Sequence, residues 1–532
     1  MSNPETPATP EPIDPSAAAP PAAGEPELDE RVNNRSRRPA SAAFRDFVAA
    51  GWDTSAQEAE PLAAAAFTPA RRAAVSARFP GERIVVPAGP LKVRSNDTDY
   101  RFRAHSAFIH LTGLETDSEP DSVLVMEPTD DGHEATFYFR PRAGFDTEEF
   151  FSDSRYGEYW VGPRDDLRTM SVRTGIACRD SAEAPEAIAK DLGSISVRLV
   201  RAADEAVQTQ VDEARAQVQA DLEAARAGDD ELAEFLSELR LIKDSHEVDA
   251  LREAVAITRE GFDRVVAALP AALADERGER VIETAFETAA RTAGNGVGYD
   301  TIAAAGDHAC TLHWIKNTGR VSPGDLVLVD AGAEADSLYT ADVTRTLPVD
   351  GTFTPVQAKV YDAVLEAADA AFARAAEHAT RPVIFAEVHD AAMEVLAHRL
   401  EEFGLLPVTA EQALSPEGQQ HRRWMVHGTS HHLGLDVHDC AQARADMYLG
   451  ARLEPGMVFT IEPGLYFKAA DLLIPAEFRG IGVRIEDDVL VTPDGVENLS
   501  AAFPRTRAEV EAWVRGAGRA GSTAAGSAAA RA

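Results

Sequence analysis

Apolar and polar residues fall into alternating blocks along the chain, and one pair of blocks near the middle is distinctive. The apolar run Leu326 to Val329 predicts a buried strand that ends at an acid, Asp330, and Ala331-Gly332 then lets the backbone turn. A second strand-like run, Leu338 to Leu347, follows at once and carries another acid, Asp342. The pattern predicts a hairpin, the acidic hairpin, on which two carboxylates converge. Because a buried, unpaired carboxylate is costly, this pair needs a compensating partner, and a divalent cation is a suitable one.

Apolar runs before this hairpin predict a first domain of mixed α/β structure. The predicted strands are Arg83 to Pro87, His105 to Leu111, Ser122 to Met126 and Thr136 to Phe139. An acidic, alanine-rich stretch then runs from Asp204 to Leu236 with roughly helical spacing of its valines and leucines. We interpret it as a surface or interdomain helix that is broken at Gly228-Asp229-Asp230.

The region from 240 to 500 repeats one order of elements. Four helices are predicted: one that opens with a capping box at Asp244 and Glu247, and three over Arg277 to Ala293, Thr354 to His378 and Phe385 to Phe403. Each pair of helices precedes strands that carry acids. In the second half these strands are Met457 to Ile461, followed by Glu462, and Val483 to Ile485, followed by Glu486. The order indicates an internal two-fold repeat.

These elements predict an α/β (α+β) chain with five parts. Residues 1–44 are rich in proline and alanine and predict a disordered tail, and the glycine- and alanine-rich residues 516–532 predict a flexible one. Between them we expect an N-terminal domain at 45–203, a helical linker at 204–239 and a catalytic domain at 240–515.

Composition narrows the class of function. The formal net charge of -36 argues against a nucleic-acid-binding surface, which needs a clustered basic face. No run of about 18 apolar residues is present to span a membrane. The three cysteines are far apart and have no metal-binding spacing, which favours a reducing, cytoplasmic compartment.

Five side chains form a candidate metal site. They are Asp330, Asp342, a histidine of the cluster His427-Gly-Thr-Ser-His431-His432, Glu462 and Glu486. Carboxylates and an imidazole suit hard or borderline divalent ions, with Mn²⁺ favoured over Co²⁺ and Zn²⁺. Four carboxylates need two dications for neutrality, and two metals activate a shared water as a hydroxide that attacks a carbonyl, so the predicted reaction class is hydrolysis.

Residues 240–500 resemble the pita-bread metallopeptidases, family M24. The resemblance lies in His427 to Asp439, Thr460-Ile-Glu-Pro-Gly-Leu-Tyr466 and Gly482-Val-Arg-Ile-Glu-Asp-Asp488. It is greatest for bacterial aminopeptidase P, and residues 70 to 200 resemble the creatinase/prolidase-type N-terminal domain of that enzyme. The resemblance implies a catalytic domain with pseudo-two-fold symmetry and a dinuclear aminopeptidase that cuts peptides with proline in the second position.

The resemblance also implies roles for individual residues. The metal ligands are Asp330, Asp342, His431, Glu462 and Glu486, with Asp342 and Glu486 bridging. His313 meets the substrate amide, His438 stabilises the oxyanion, His427 forms a wall of the proline subsite, and Tyr466 and Arg484 line the same subsite. The two aspartates are 12 residues apart, where the family usually has 11, and an extra residue near Ala335-Asp336-Ser337 accounts for the difference. Asp342 is preferred to Asp336 because Val-Thr-Arg-Thr follows it.

Alternatives remain at this stage. A prolidase has the same metal site but accepts only dipeptides. Non-catalytic pita-bread scaffolds and a creatinase-like, metal-free hydrolase are disfavoured because all five ligands are present. His432 is an alternative ligand to His431. The resemblance also implies a homo-oligomer, a dimer or a tetramer.

Overall fold

The computed structural model describes residues 41–55 and 58–516. The predicted tails, 1–44 and 516–532, therefore lie outside the described residues apart from their innermost positions. Ser41 accepts a hydrogen bond from the backbone N–H of Phe44 and caps a helix, Ala42–Ala49. Helical structure thus begins before the predicted boundary at residue 45. Among the described residues, no helix combines the length and apolar character that a bilayer crossing requires.

The described chain divides into two compact units. The smaller unit comprises residues 41–55, 93–99 and 141–166. Besides the helix Ala42–Ala49 it contains the helices Glu148–Ser152 and Glu158–Val161 and a small hairpin, Val93–Ser95 with Thr98–Asp99. Aromatic rings pack together inside it: Trp52 stacks on Phe145 at 5.2 Å between ring centroids, and Phe150 meets Tyr159 edge-on at 5.3 Å.

The larger unit begins with a five-stranded sheet. Its strands lie in the spatial order Ala177–Asp180, Gly132–Phe139, Val123–Thr129, Arg83–Pro87 and Val197–Leu199. The inner pairs are antiparallel and the two outer pairs are parallel. Arg83–Pro87 is buried along its whole length, and Val85 packs in a different apolar cluster from Ile84 and Val86. Side chains therefore cover both faces of the sheet. The helices of this region are Thr68–Arg78, Ser106–Thr112, Leu167–Thr174 and Ala184–Ala189, with 3-10 turns at Ala63–Ala66, Ser181–Glu183 and Arg201–Ala203.

The predicted strand at His105 to Leu111 is wrong, because the segment is a helix, Ser106–Thr112. The His105 side chain caps its first turn, and Gly113 ends it in the left-handed conformation at φ 74°. All seven helical residues are buried. A segment buried on every side has no polar face, so its hydrophobic pattern cannot distinguish a strand from a helix.

The acidic stretch after residue 204 forms two helices, Glu205–Gln217 and Leu222–Leu239. The predicted break at Gly228-Asp229-Asp230 is wrong, since these residues lie inside the second helix. Asp229 is 1% exposed and accepts two hydrogen bonds from Arg215, at 2.7 and 2.8 Å. Tertiary pairing of this charge outweighs the weak helix propensity of the Gly-Asp-Asp sequence.

The rest of the larger unit consists of two halves of the same design. Two helices, Ser245–Ala274 and Gly278–Ala293, precede a three-stranded antiparallel sheet in the order Val343–Pro348, Leu326–Ala331, Ile302–Ala305. Two more, Pro355–Ala376 and Phe385–Glu402, precede a second sheet in the order Val458–Ile461, Asp487–Thr492, Gly495–Asn498. The predicted helices and acid-bearing strands are confirmed, including the capping box of Asp244 and Glu247.

The two halves share one apolar core, to which Phe262 and Val327 contribute from the first half and Leu396 and Val489 from the second. Shorter elements complete the region: the strand pairs Gly296–Val297 with Ala333–Glu334 and Gly464–Phe467 with Ile481–Arg484, the helix Ala410–Leu414, and 3-10 turns at Gly306–Cys310, Glu377–Ala379, Gln420–Arg423 and Ala476–Phe478. The mixed α/β class is therefore confirmed.

Replacing Asp229 with alanine tests whether its pairing with Arg215 stabilises the helix Leu222–Leu239, which the sequence predicted to be interrupted. The change leaves the buried Arg215 without its bidentate partner, so we expect the free energy of unfolding to fall by about 3–5 kcal/mol in a denaturant titration. Asp230, the exposed next residue, provides the control. Asp230→Ala should change stability by less than about 0.5 kcal/mol, and equal losses in the two variants would contradict the assignment.

Candidate metal centre

The acidic hairpin forms, but its second strand begins at Val343 and not at the predicted Leu338, because residues 338–342 belong to the turn that precedes it. Strands Leu326–Ala331 and Val343–Pro348 pair antiparallel, with Asp330 opposite Thr344, and Asp342 lies immediately before the second strand. At the turn the two sides of the hairpin are so close that a Cβ on Gly332 would lie 1.6 Å from the Ala341 carbonyl oxygen. Glycine is required here because any side chain would force the hairpin open and separate the two aspartates.

The second half brings its groups to the same place by backbone pairing. The Thr460 N–H donates to the His431 carbonyl at 2.9 Å, and the His431 N–H donates to the Thr460 hydroxyl at 3.1 Å. Glu462 follows the strand that contains Thr460. Glu486 bridges the two halves, because its N–H donates to the Thr344 carbonyl at 3.1 Å and its carboxylate accepts from the Thr344 hydroxyl at 2.6 Å.

The five predicted ligands converge in one cluster. One ligand atom each of Asp342, His431 and Glu486 lies within 4.8 Å of the other two. His431 Nε2 lies 3.3 Å from Glu462 Oε1 and 3.4 Å from Asp342 Oδ2. Asp330 joins the group through Tyr299, whose hydroxyl oxygen lies 2.6 Å from Asp330 Oδ1 and 2.5 Å from Asp342 Oδ1, so the two carboxylates share its one proton.

A cavity of about 560 Å³ opens over this cluster. Nine of the ten predicted site residues line it: His313, Asp330, Asp342, His427, His431, His438, Glu462, Arg484 and Glu486. The tenth, Tyr466, is linked to two of them, because its hydroxyl lies 2.8 Å from His427 Nε2 and accepts from Arg484 at 3.0 Å. Apolar walls are provided by Ile302, Leu312, Ile315 and Val437.

The electrostatics of the cavity favour cations. Burial, reinforced by repulsion from neighbouring carboxylates, raises the pKa of Glu486 well above its usual value and raises the pKa of Glu462 to about 7. Burial by itself lowers the pKa of His431, yet Asp342 and Glu462 raise it to about 9. A site that holds a proton this firmly on an imidazole attracts positive charge. The donors are carboxylate oxygens and an imidazole, so the residues present fit one or more divalent ions.

Two other histidines of the cavity, His427 and His438, are held neutral. Burial, with Arg484 nearby, lowers the pKa of His427 to about 3. Burial and the adjacent His431 lower the pKa of His438, whose ring centroid lies 4.5 Å from that of His431. Neutral imidazoles can donate one hydrogen bond and accept another, which suits them to positioning a substrate.

The loop that carries His313 is fixed by a residue that sequence analysis did not single out. Glu279 is fully buried, and its carboxylate accepts from the N–H of Ala305 at 2.9 Å, of Gly319 at 2.5 Å and of the Trp314 ring at 2.9 Å. It also lies 2.7 Å from His308 Nδ1. One helix residue therefore holds the chain on both sides of His313.

Three further residues around the acids were missed. Tyr299 and Thr344 donate to the carboxylates, and Asp488 accepts from the N–H of Asp342 at 3.1 Å. A signal was present for two of them. Thr344 lies two residues after Asp342 and Asp488 two after Glu486, the spacing that puts side chains on the same face of a strand.

Two alternatives of the sequence analysis lie outside the cavity. Asp336 is exposed on the turn of the acidic hairpin, whereas Asp342 faces the cluster. His432 is fully buried and stacks on Phe385, with 4.8 Å between ring centroids. Its position next to His431 in the chain thus gives it no access to the cavity.

Comparison with known proteins bears on this arrangement. The family model for metallopeptidase family M24 matches residues 249–493, and the model for the aminopeptidase P N-terminal domain matches residues 69–199. The chain is 50% identical over 466 residues to Xaa-Pro aminopeptidase 1 of Streptomyces coelicolor, covering 87% of this chain and 90% of that protein. It is 32% identical over 455 residues to Xaa-Pro aminopeptidase of Escherichia coli, covering 83% and 96%.

A solved structure is also similar. Zinc-substituted Escherichia coli aminopeptidase P in complex with product matches with a TM-score of 0.73 and 30% sequence identity, over 86% of this chain and 99% of that one. Both the region of the acidic cluster and the N-terminal domain therefore have counterparts of known fold.

Glu279→Ala tests whether that carboxylate organises the His313 loop. The variant leaves buried N–H donors without an acceptor, so we expect a loss of about 3–5 kcal/mol in unfolding free energy. We also expect faster amide hydrogen exchange over residues 305–319. Glu276→Ala, which removes an exposed carboxylate paired with Arg320, should change neither quantity measurably. Unchanged exchange in Glu279→Ala would show that the loop is held by other contacts.

Proposed function

The chain belongs to metallopeptidase family M24, and on this premise we propose that it is an Xaa-Pro aminopeptidase. The reaction is hydrolysis of the peptide bond between an N-terminal residue and a proline that follows it. The observation that supports this most is the convergence of four acids and His431, drawn from both halves of the catalytic region, in the lining of a single cavity. The substrate is a peptide with proline second.

The proposed metal ligands are Asp330, Asp342, His431, Glu462 and Glu486. Two divalent ions, when bound, lower the pKa of a water molecule and polarise the scissile carbonyl. We favour Mn²⁺, with Co²⁺ and Zn²⁺ as alternatives, because oxygen donors outnumber the single imidazole nitrogen. We also propose a cytoplasmic location and a homo-oligomer, a dimer or a tetramer, which light scattering can test.

The cavity histidines have separate proposed roles. A neutral His438 donates a hydrogen bond to the oxyanion that forms from the scissile carbonyl. The nitrogen of an Xaa-Pro bond carries no hydrogen, so it needs a proton before it can leave, and His313 at the cavity mouth supplies one. His427 is kept in place by the Tyr466 hydroxyl at 2.8 Å. Together with Arg484 these two residues form the proposed proline subsite.

A substrate panel with metal analysis tests the activity. Purified protein should cut Ala-Pro-Pro and Ala-Pro and leave Ala-Ala and Met-Ala intact, since the subsite is proposed to select the proline ring. A chelator should abolish cleavage, and added Mn²⁺ should restore it. Cleavage of Ala-Pro alone would indicate a prolidase instead, and full activity in metal-stripped protein would contradict the mechanism.

Two substitutions separate metal binding from chemistry. Asp342→Ala should lower metal content and reduce kcat by more than about 100-fold, because loss of even an outer partner of a metal ligand costs about 10- to 100-fold. His438→Ala should reduce kcat by about 100- to 1000-fold with metal content unchanged, as expected for loss of an oxyanion donor.

Asp336→Ala is the matched control, because it removes an acid from the same hairpin on the exposed side of the turn. It should keep both metal and activity. Normal metal content in Asp342→Ala, or metal loss in Asp336→Ala, would overturn the ligand assignment.

A further inference from the structure

The turn of the acidic hairpin contains a strained residue. Leu338 lies between the two predicted aspartate ligands and has a φ of +67°, in the left-handed region that non-glycine residues avoid. Within the turn, its own N–H donates to the Ala335 carbonyl at 2.9 Å, and the Ala335 N–H donates to the Tyr339 carbonyl at 3.0 Å. A turn in this conformation needs support from outside, because an unstrained alternative would shift the residues that lead into Asp342.

Part of that support is apolar and comes from the N-terminal domain. The Leu338 side chain is 1% exposed and packs in the same apolar cluster as Phe108, Phe137 and Leu124 of the five-stranded sheet region. Leu433 and Leu435, from the segment between His431 and His438, belong to this cluster too. Two segments that carry site residues therefore meet on the surface of the N-terminal domain.

Arg103, which precedes the helix Ser106–Thr112, makes polar contacts with both of these segments. Its Nε donates to the Glu334 carboxylate of the hairpin at 2.6 Å, and its Nη2 donates to the Leu338 carbonyl at 3.4 Å. The same Nη2 donates to the carbonyl of Leu435. One guanidinium thus binds the strained turn and the histidine-bearing segment at the same time.

Neighbouring contacts strengthen the connection that Arg103 makes between the turn and the histidine-bearing segment. Arg103 Nη1 donates to the Ser106 hydroxyl at 3.3 Å, and that hydroxyl donates to Asp436 at 2.6 Å. Within the catalytic region, the Thr340 N–H donates to the Gly434 carbonyl at 3.0 Å, so the two segments also contact each other directly. Glu334 is held on its far side by the Asn295 amide at 2.7 Å.

We propose that Arg103 of the N-terminal domain is a positioning residue for the metal centre, holding the Asp330–Asp342 turn against the His431–His438 segment. The inference rests on the proposed function, because it concerns the ligands assigned there. It gives the N-terminal domain a part in metal binding that does not depend on contact with substrate. Arginine is required because its planar fork reaches a carboxylate and two carbonyls at once, whereas the lysine ammonium is a point charge.

Arg198 provides a matched control. Like Arg103 it is a partly buried arginine of the N-terminal domain that binds carboxylates and a carbonyl, with Glu82, Glu231 and the Gly228 carbonyl each at 2.8 Å. Its partners lie away from both ligand-bearing segments. Arg198→Ala therefore reports the general cost of removing such an arginine from this domain.

The first measurement uses full-length, metal-free protein and does not depend on any activity. In Arg103→Ala and Arg103→Lys, amide hydrogen exchange at Leu338 and Thr340 should be at least about 10-fold faster than in the unsubstituted protein. In Arg198→Ala the same amides should exchange at the original rate. Protection of Leu338 and Thr340 that is unchanged in Arg103→Ala would overturn the proposal.

The second measurement is calorimetric titration with Mn²⁺. Arg103→Ala should bind the ion about 10-fold more weakly, in the range found for outer partners of metal ligands, and Arg103→Lys should resemble it. Guanidinium at millimolar concentration should restore affinity to Arg103→Ala but not to Arg103→Lys, where the lysine side chain occupies the space. Equal loss of affinity in Arg198→Ala would mean general loosening of the domain and would also overturn the proposal.

A milder variant covers the case in which Arg103→Ala does not fold. Glu334→Gln keeps the shape of the hairpin residue and removes the charge that Arg103 binds, so it should show the same faster exchange and a smaller loss of affinity. Unchanged amide hydrogen exchange and unchanged Mn²⁺ affinity in Glu334→Gln would count against the proposed role of Arg103. If the unsubstituted protein binds none of Mn²⁺, Co²⁺ and Zn²⁺, the proposed function fails, whereas the exchange experiment still tests the role of Arg103.

Discussion

Four carboxylates buried within a few ångströms of one another are the constraint on which this structure depends. Each loses hydration on burial, and each raises the electrostatic energy of its neighbours. The consequence is visible in the raised pKa values of Glu462 and Glu486, and in the raised pKa of His431, which these acids favour in its charged form. Such a cluster therefore needs means, besides cations, that hold every member in place.

Those means are hydrogen bonds from residues that carry no positive charge, together with one buried arginine. The Tyr299 hydroxyl shares its one proton between two aspartates, Thr344 donates to Glu486, and Arg484 donates to Asp330. Each contact joins residues at least 31 positions apart in the chain, and the contacts of Thr344 and Arg484 join one half to the other. The geometry of the cluster is therefore a property of the packed pair of halves. The same logic extends outward, because Glu279 fixes the His313 loop and Arg103 ties the acidic turn to the N-terminal domain.

Local pattern was a good guide wherever an element has one buried and one polar side, or a clear start and stop. The capping box of Asp244 and Glu247 and the apolar strand before Asp330 formed as expected. Pattern failed where tertiary contacts supplied the decisive energy. The segment after His105 is buried on all sides and became a helix, and Asp229 remains inside a helix because Arg215 neutralises it. The N-terminal domain boundaries remain predictions, since the compact units follow contacts and not sequence order.

The sequence by itself determined which residues have the chemistry for the site and on which elements they lie. Acids at the ends of apolar runs, with a histidine-rich segment between them, were sufficient to identify five metal ligands as candidates, and the motifs were sufficient to indicate the family. Only the tertiary structure decided which residues hold these side chains in place. Tyr299 contacts two of the aspartates, Glu279 fixes the loop of His313, and Arg103 binds the acidic turn and the histidine-bearing segment. The reason is physical. A strand end or a turn is specified by neighbouring residues, whereas a hydrogen bond between residues 31 to 231 positions apart depends on how the whole chain packs.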